Sequence, residues 1–327
     1  MNHEPTRLMQ REAERLFGAE SAESLQFLDA LMSAPDFAPC VLWTGETDAL
    51  NDFRQHRPLA ESDPRLDWLP DFALRLAIGG ESPGRDPLHD AGAFYSLDFS
   101  SVWAASALLT IPQGPRCVLD LCASPGGKSV FASLALKPEF LLSNEVIGKR
   151  LAVLRHNLAR CGIAHAFTQR LDPRDLAKLA PGAFEVVIVD APCSGQSLLA
   201  KGIENPGAFH PSTVKGNAKR QVGILSTAAE CVTPGGHLLY ATCTFAEREN
   251  ERVIARFLDR HPDFSAQPVP HLEPWRSTLA EFPAYRLYPH SGLGAGAFTC
   301  LLRRDGLPSA GTPTELDPSL IAYPVAQ

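Results

Sequence analysis

From about residue 92 onward, short apolar runs alternate with stretches of helical spacing, and that alternation restricts the chain to few folds. Cys117-Val-Leu-Asp-Leu-Cys122 reads as a strand leading into a glycine-rich turn and a helix over 129–136. Residues 140–145 read as a second strand, 148–161 as a helix with basic residues on one face, 166–169 as a third strand and 186–189 as a fourth. A helix over 219–232, ended by Pro234-Gly-Gly236, leads to a fifth strand over 237–242, and 247–261 is expected to form a capped amphipathic helix. Segments near 285–287 and 297–302 are expected to close the sheet as a hairpin. Strands joined through helices pair in parallel and are covered on both faces. The expected class is therefore α/β, a Rossmann-like doubly wound, mostly parallel sheet.

Residues 1–90 are expected to form a small α+β domain. Leu8, Leu16 and Phe17, then Leu25, Leu28, Leu31 and Met32, recur at the spacing of two short helices, and 37–43 reads as a short strand. The stretch 54–71, rich in Pro, Asp and Arg, is expected to be irregular, and Gly79-Gly-Glu-Ser-Pro-Gly84 to approach a boundary. The main domain is placed at 91–304, opening on a helix over 102–109, with a loose tail over 305–327. At 327 residues, with 45% apolar and 20% charged residues, the chain has the composition of a soluble globular protein. Its start, MNHEPTRLMQREAERLF, lacks the apolar core of a secretory signal, and there is no apolar run of membrane-spanning length. A cytoplasmic protein without a membrane partner is expected.

The net charge of −7 does not advertise a nucleic-acid partner, although it leaves room for a local basic face. The eight cysteines, at 40, 117, 122, 161, 193, 231, 243 and 300, include no Cys-x-x-Cys pair and no zinc spacing. They are expected to be reduced thiols with no metal.

Two turns carry the chemistry. In the first, Val118-Leu-Asp-Leu-Cys-Ala-Ser-Pro-Gly-Gly-Lys-Ser129 puts glycines between a strand and a helix, where backbone approaches a ligand. A phosphate-binding P-loop would need glycine at position 122, which is cysteine, and Gly-x-Gly-x-x-Gly is absent. The remaining reading is a loop for S-adenosylmethionine (AdoMet), formed by Cys122, Ala123, Ser124, Pro125, Gly126, Gly127 and Lys128. Glu145, at the end of the next strand, would then accept the ribose hydroxyls. Asp172 would take the adenine amino group, with Asp175 as its rival, and an acidic helix cap is the plain alternative for each. In the second turn, the strand 186–189 ends at Asp190 and passes through Pro192 into Cys193, Ser194 and Gly195. A carboxylate and a thiol at a strand's carboxyl end mark an active-site edge, or else a capped turn with a half-buried cysteine.

VLDLCASPGGKS, NEV, VDAPCSG and YATCTF, in this order, resemble the RNA (cytosine-5) methyltransferases of the Rsm/Nop group, over roughly 91–304. The resemblance implies AdoMet as methyl donor and RNA as partner, with ribosomal RNA ahead of transfer RNA. It leaves open whether free RNA or a ribosomal subunit is the substrate. Carbon 5 of cytosine is a poor nucleophile until a thiolate adds to carbon 6, and the adduct must afterwards be broken. Read locally, Pro192-Cys193 would attack, as the Pro-Cys pair does in DNA cytosine methyltransferases. The resemblance instead implies Cys243 of the Thr-Cys pair as nucleophile, Cys193 as the thiol assisting release, and Asp190 as the residue steadying the cytosine beside the donor. Lys128 would orient the loop and Asp190.

Further matches are Phe94-Tyr-Ser-Leu-Asp-Phe-Ser-Ser101, Glu249-Asn250, and Arg286-Leu-Tyr-Pro-His290 followed by Gly294-Ala-Gly-Ala-Phe298. Lys201, Lys215, Lys219 and Arg220, joined by Arg150, Arg155 and Arg160, are expected to form a phosphate-contacting rim. The chain departs from the family pattern at Leu97 and Ser124 and in lacking an Arg-Val-Asn signature, and no appended RNA-binding domain is expected. Two other readings remain: a catalytically silent RNA-binding or ribosome-assembly factor, and an amino-group methyltransferase. The latter sites typically carry Asn/Asp-Pro-Pro-Tyr, where this chain has Asp190-Ala-Pro-Cys193.

Overall fold

The computed structural model describes residues 4–307, Leu320, Pro324 and Val325. Its first elements are α1 (Arg7–Phe17), α2 (Ala22–Ser33), β1 (Cys40–Trp43), α3 (Thr47–His56), β2 (Ala73–Arg75), α4 (Pro87–Asp90) and β3 (Phe94–Leu97). Next come α5 (Phe99–Ala105), β4 (Cys117–Asp120), α6 (Gly127–Leu136), β5 (Phe140–Asn144), α7 (Gly148–Arg160), β6 (Ala166–Gln169), α8 (Pro173–Leu179) and β7 (Phe184–Asp190). The last are α9 (Pro211–Cys231), β8 (Val232–Thr242), α10 (Glu251–Arg260), β9 (Phe264–Gln267), β10 (Tyr285–Leu287) and β11 (Ala297–Arg304).

The large sheet runs β10-β11-β8-β7-β4-β5-β6, with β9 also paired to β11. Strands β4 to β8 pair in parallel, and β11 closes the sheet antiparallel to β8 and β10. Alternate side chains serve two cores. Val118, Leu141, Val186, Ile188 and Leu239 face α5, α6 and α7, whereas Leu119, Leu142, Val187, Val189 and Tyr240 face α8, α9 and α10. The expected doubly wound sheet is present.

The smaller sheet, β2-β1-β3, takes its third strand from beyond the boundary expected at residue 90. The packing explains it: Tyr95 and Leu97 of β3 lie where a Cβ on Gly127 would meet them at 3.2 Å, so β3 braces the start of α6. Helices α1 and α2 rest on the loops after β7 and β8 through Phe27, Leu31, Ala200 and Phe245, with the Phe27 and Phe245 rings 4.9 Å apart, edge to face.

Three local expectations change. Pro234-Gly-Gly236 does not precede the fifth strand but forms its irregular start, because β8 begins at Val232 directly after α9. A Cβ on Gly236 would meet the Glu185 carbonyl oxygen at 2.8 Å, so that crossing needs glycine. Helix α9 starts at Pro211, with His210 as its N-cap, well before residue 219. Helix α10 is amphipathic but has no side-chain cap, because the Asn250 amide is engaged with Thr242 and Thr244. Of the tail expected to be loose, 308–319, 321–323 and 326–327 lie outside the described residues. Leu320 is buried, and the Val325 N–H donates to the Ala166 carbonyl at 3.0 Å. No helix among the described residues is long and apolar enough to cross a membrane.

Candidate active site

The sheet order reverses between β4 and β7, where chain connections leave in opposite directions and open a crevice at the strands' carboxyl ends. The turn between β4 and α6 lies there. Ala123 N–H donates to the Asn144 carbonyl at 2.9 Å, Arg150 donates to the Ser124 carbonyl at 2.7 Å, and Asn157 donates to the Pro125 carbonyl at 2.8 Å. The Ser124–Pro125 peptide is cis. Gly126 has φ of +119°, and a Cβ there would also meet Leu154 at 3.3 Å, so glycine is required. Cys122 belongs to the turn, its thiol held up by burial.

Beneath the turn, Asp120 is fully buried. One carboxylate oxygen accepts from Ser129 at 2.7 Å, and Oδ1 has no hydrogen-bond partner among the described residues. Burial pushes this carboxyl up to about 7. Glu145, only 3% exposed, accepts from the Ile147 N–H at 2.9 Å and lies 3.5 Å from Arg150. Nothing in the sequence pattern singled out Asp120; it sits mid-motif in what reads as plain strand.

At the end of β7, Asp190 pairs with the buried Lys128 at 2.7 Å. Burial works against the lysine's charge, but Asp190 outweighs it and the ammonium is held above its usual value. Beside this pair the Cys193 and Cys243 sulfurs lie 3.2 Å apart, although 50 residues separate them in sequence. Their surroundings differ. Cys243 is held below the ordinary thiol range, first by the hydrogen bond from Cys193 and then by Lys128 and Lys201, against burial and Asp190. Cys193 is held well above it, by the same hydrogen bond, by burial and by the charge of Glu249. The surroundings thus favour the thiolate at Cys243 over one at Cys193.

A buried polar frame fixes both cysteine loops. Ser194 and Thr244 share a hydroxyl hydrogen bond of 2.7 Å. Glu249 accepts from the Ser194 N–H and from Gln221, each at 2.9 Å, and its backbone carbonyl accepts from the Tyr240 hydroxyl at 2.6 Å. The Ser197 N–H donates to the Cys243 carbonyl at 3.2 Å. Arg286 is buried against Glu251 and also donates to the Phe245 carbonyl at 2.8 Å. These partners give Glu249-Asn250 and the Arg286 segment a physical purpose: they hold Thr242 to Ala246 in shape.

Several expected site residues lie elsewhere or act otherwise. Asp172 is exposed and caps α8, accepting from the Arg174 N–H at 3.0 Å and pairing with its guanidinium at 2.9 Å, which pulls the carboxyl down to about 2. Asp175 pairs with Lys178 at 3.0 Å on the same helix. Arg150 folds over the β4–α6 turn, Arg155 donates to Thr168 at 2.7 Å, and Arg160 donates to the His89 and Phe94 carbonyls. These three arginines join elements of the fold, with Arg150 and Arg155 still exposed. Lys201 is exposed, faces Asp98 at 3.8 Å, and its charge reaches Cys243. Asp98 caps α5 and lies against the loop carrying Gly294, where a Cβ would meet Ser100 at 2.5 Å. Lys215, Lys219 and Arg220 are exposed on α9. Among the described residues no cluster of His, Cys, Asp and Glu could hold a metal ion.

A family model described as 16S rRNA methyltransferase RsmB/F matches residues 107–303. The chain belongs to the RsmB/F family. A relative named ribosomal RNA small subunit methyltransferase F, from Erwinia tasmaniensis, is 33% identical over 66% of the chain and 46% of its own length. One of the same name from Serratia proteamaculans is 30% identical over 72% of the chain and 48% of its own. The chain spans about half the length of the curated relatives it matches. Among solved structures, a methyltransferase homolog protein from Pyrococcus horikoshii superposes with a TM-score of 0.73 at 23% identity, covering 92% of this chain and 95% of that one. NSun6 from the same organism, solved with the AdoMet analogue SFG, gives 0.74 at 17%, covering 92% and 99%. These likenesses establish the class I methyltransferase fold of this RsmB/F-family chain.

Proposed function

We propose that the chain is a cytoplasmic enzyme that transfers a methyl group from AdoMet to carbon 5 of a cytosine in small-subunit ribosomal RNA. The observation that carries this reading is the polarised pair of thiols, 3.2 Å apart at the carboxyl ends of adjacent parallel strands and next to Lys128–Asp190. A silent binding factor has no use for a buried thiol held below its ordinary range, and an amino-group methyltransferase has no use for two thiols. Family membership and the names of the relatives support RNA of the small ribosomal subunit. The chemistry needs free thiols, which suits a reducing compartment.

The residues fit AdoMet. The turn Cys122–Lys128 presents backbone at a strand end, Glu145 is a buried carboxylate one strand away, and the buried Asp120 lies beneath the turn with Oδ1 unpaired among the described residues. Asp172 would have to leave Arg174 to meet adenine, so the fit rests on Glu145 and Asp120. When bound, AdoMet supplies an electrophilic methyl group. Cys243, as thiolate, adds to carbon 6 of the cytosine and makes carbon 5 nucleophilic. Asp190, positioned by Lys128, accepts from the exocyclic amino group and holds the ring against the donor side. After methylation the proton on carbon 5 passes to a solvent base, its electron pair forms the double bond between carbons 5 and 6, and Cys243 departs from carbon 6 as thiolate, with Cys193 beside it assisting that elimination. Lys128 and Lys201 favour the thiolate form of Cys243, for attack and as the leaving group.

The test is methylation of unmodified small-subunit rRNA transcript or isolated subunits with labelled AdoMet, followed by bisulfite sequencing. The wild type should yield 5-methylcytosine and Cys243→Ala none; near-normal turnover of Cys243→Ala refutes the assignment.

A further inference from the structure

At the carboxyl edge of the sheet, α1, the segment leading into α9 and the start of α10 enclose a groove of about 290 Å³. Its two walls carry arginines at one-turn spacing: Arg11 and Arg15 on α1, Arg248 and Arg252 opposite. Two carboxylates also line it, each paired with one of these arginines: Glu12 with Arg15 and Glu247 with Arg252, both at 2.9 Å. Arg11 and Arg248 are exposed and have no side-chain partner among the described residues. The groove therefore carries an excess of two positive charges in a chain whose net charge is −7. Between the walls lies the half-buried ring of Phe209.

The groove is built on the same backbone as the thiols. Arg248 directly precedes Glu249, which holds the Ser194 N–H next to Cys193. Phe209 follows Ala208, whose carbonyl accepts from Gln196, and Gln196 in turn accepts from the Phe245 N–H two residues after Cys243.

We propose that this groove is a docking track for the single-stranded RNA flanking the target cytosine, with Arg11 and Arg248 contacting phosphates and Phe209 stacking on a base. This rests on RNA being the substrate. A free guanidinium on each wall suits phosphate oxygens, and an aromatic ring between them accepts any base, which is the chemistry of single-strand recognition without sequence readout.

The experiment compares wild type with Arg11→Gln/Arg248→Gln, using small-subunit rRNA transcribed in vitro without modifications. Two lost phosphate contacts should flatten the dependence of log affinity on log salt by about 1.4, so that the variant's deficit at tenfold lower salt grows by roughly 25-fold. Arg11→Lys/Arg248→Lys should recover most of the slope. AdoMet affinity and melting temperature, read on the same preparations, should stay at wild-type values, since neither arginine touches the cofactor turn. An unchanged salt slope in the glutamine variant overturns the proposal even if the wild type methylates RNA. A flattened slope in a protein that methylates nothing supports the groove and overturns the methyl-transfer reading.

Discussion

Replacing Cys193 with alanine removes one member of a sulfur pair 3.2 Å apart, and the structure says what the other should then do. The hydrogen bond from Cys193 is the largest influence holding Cys243 low; without it, burial and Asp190 push upward against Lys128 and Lys201 alone. A hydrogen bond to a charged group contributes roughly 1.5–3 kcal/mol, and about 1.4 kcal/mol corresponds to one pH unit. The midpoint for alkylation of Cys243 should therefore move upward by about one to two pH units in Cys193→Ala. The assay is the rate of iodoacetamide labelling across a pH series, resolved by mass spectrometry for each cysteine. Cys231 and Cys300, whose thiols burial holds high, are internal controls. Cys193→Ser retains a donor and should fall between the two. An unmoved midpoint in Cys193→Ala refutes the argument that this contact sets the charge. The same variant should accumulate an RNA–protein adduct that survives denaturation; if the adduct appears instead in Cys243→Ala, the two roles are reversed.

Glu145→Ala should weaken AdoMet binding by roughly 1–3 kcal/mol by calorimetry, because bound ribose hydroxyls lose a buried acceptor; unchanged affinity removes Glu145 from the cofactor site. Asp120 titrates near 7 in the folded chain against an ordinary value of 3.8, so the folded protein without cofactor keeps a proton that the unfolded chain has lost. Stability contributed by this group falls as pH rises from about 4 to about 7. A cationic ligand over Oδ1 favours the ionised form, so AdoMet affinity should rise through the same upper limit. Asp120→Asn should flatten both profiles, measured by thermal melts and by titration calorimetry, and a wild-type slope retained in the variant excludes Asp120 as their source.

The strands of the parallel sheet were legible because buried β-branched and leucine runs at 117–120, 140–144 and 186–189 have no competing helical period. The β4–α6 turn was legible for a similar reason: glycines after a strand restrict what can follow. Residues whose role depends on contacts across the fold were not. Lys201 is one more basic residue in a loop until the chain brings Asp98 and Cys243 to it. Asp172 satisfies the position of an adenine acceptor and the pattern of a helix cap equally well; in the structure it caps α8 ahead of Pro173 and pairs with Arg174. Arg160, expected at a phosphate-contacting rim, reaches two carbonyls near the small sheet. Pro234-Gly-Gly236 resembled a stop because proline and glycine punctuate regular structure, and only the pairing of Phe184 with Val232 before it and of Val186 with His237 after it shows that it lies within a strand.

That last irregularity bears on the thiols. Strands β7 and β8 pair Phe184 with Val232 and then Val186 with His237, so β8 spends five residues where β7 spends two. The bulge absorbs the excess at the amino end, after which the register is regular to Asp190 opposite Ala241. Because the strands are parallel, their carboxyl ends finish at one edge of the sheet. Cys193 comes three residues past Asp190 and Cys243 two past Ala241, so both thiols emerge at one height. An antiparallel pair would carry them to opposite edges. The serine–threonine bond and Glu249 then hold the two turns together. Sulfur–sulfur contact therefore follows from strand direction and register, and neither Pro-Cys nor Thr-Cys taken alone could have specified it.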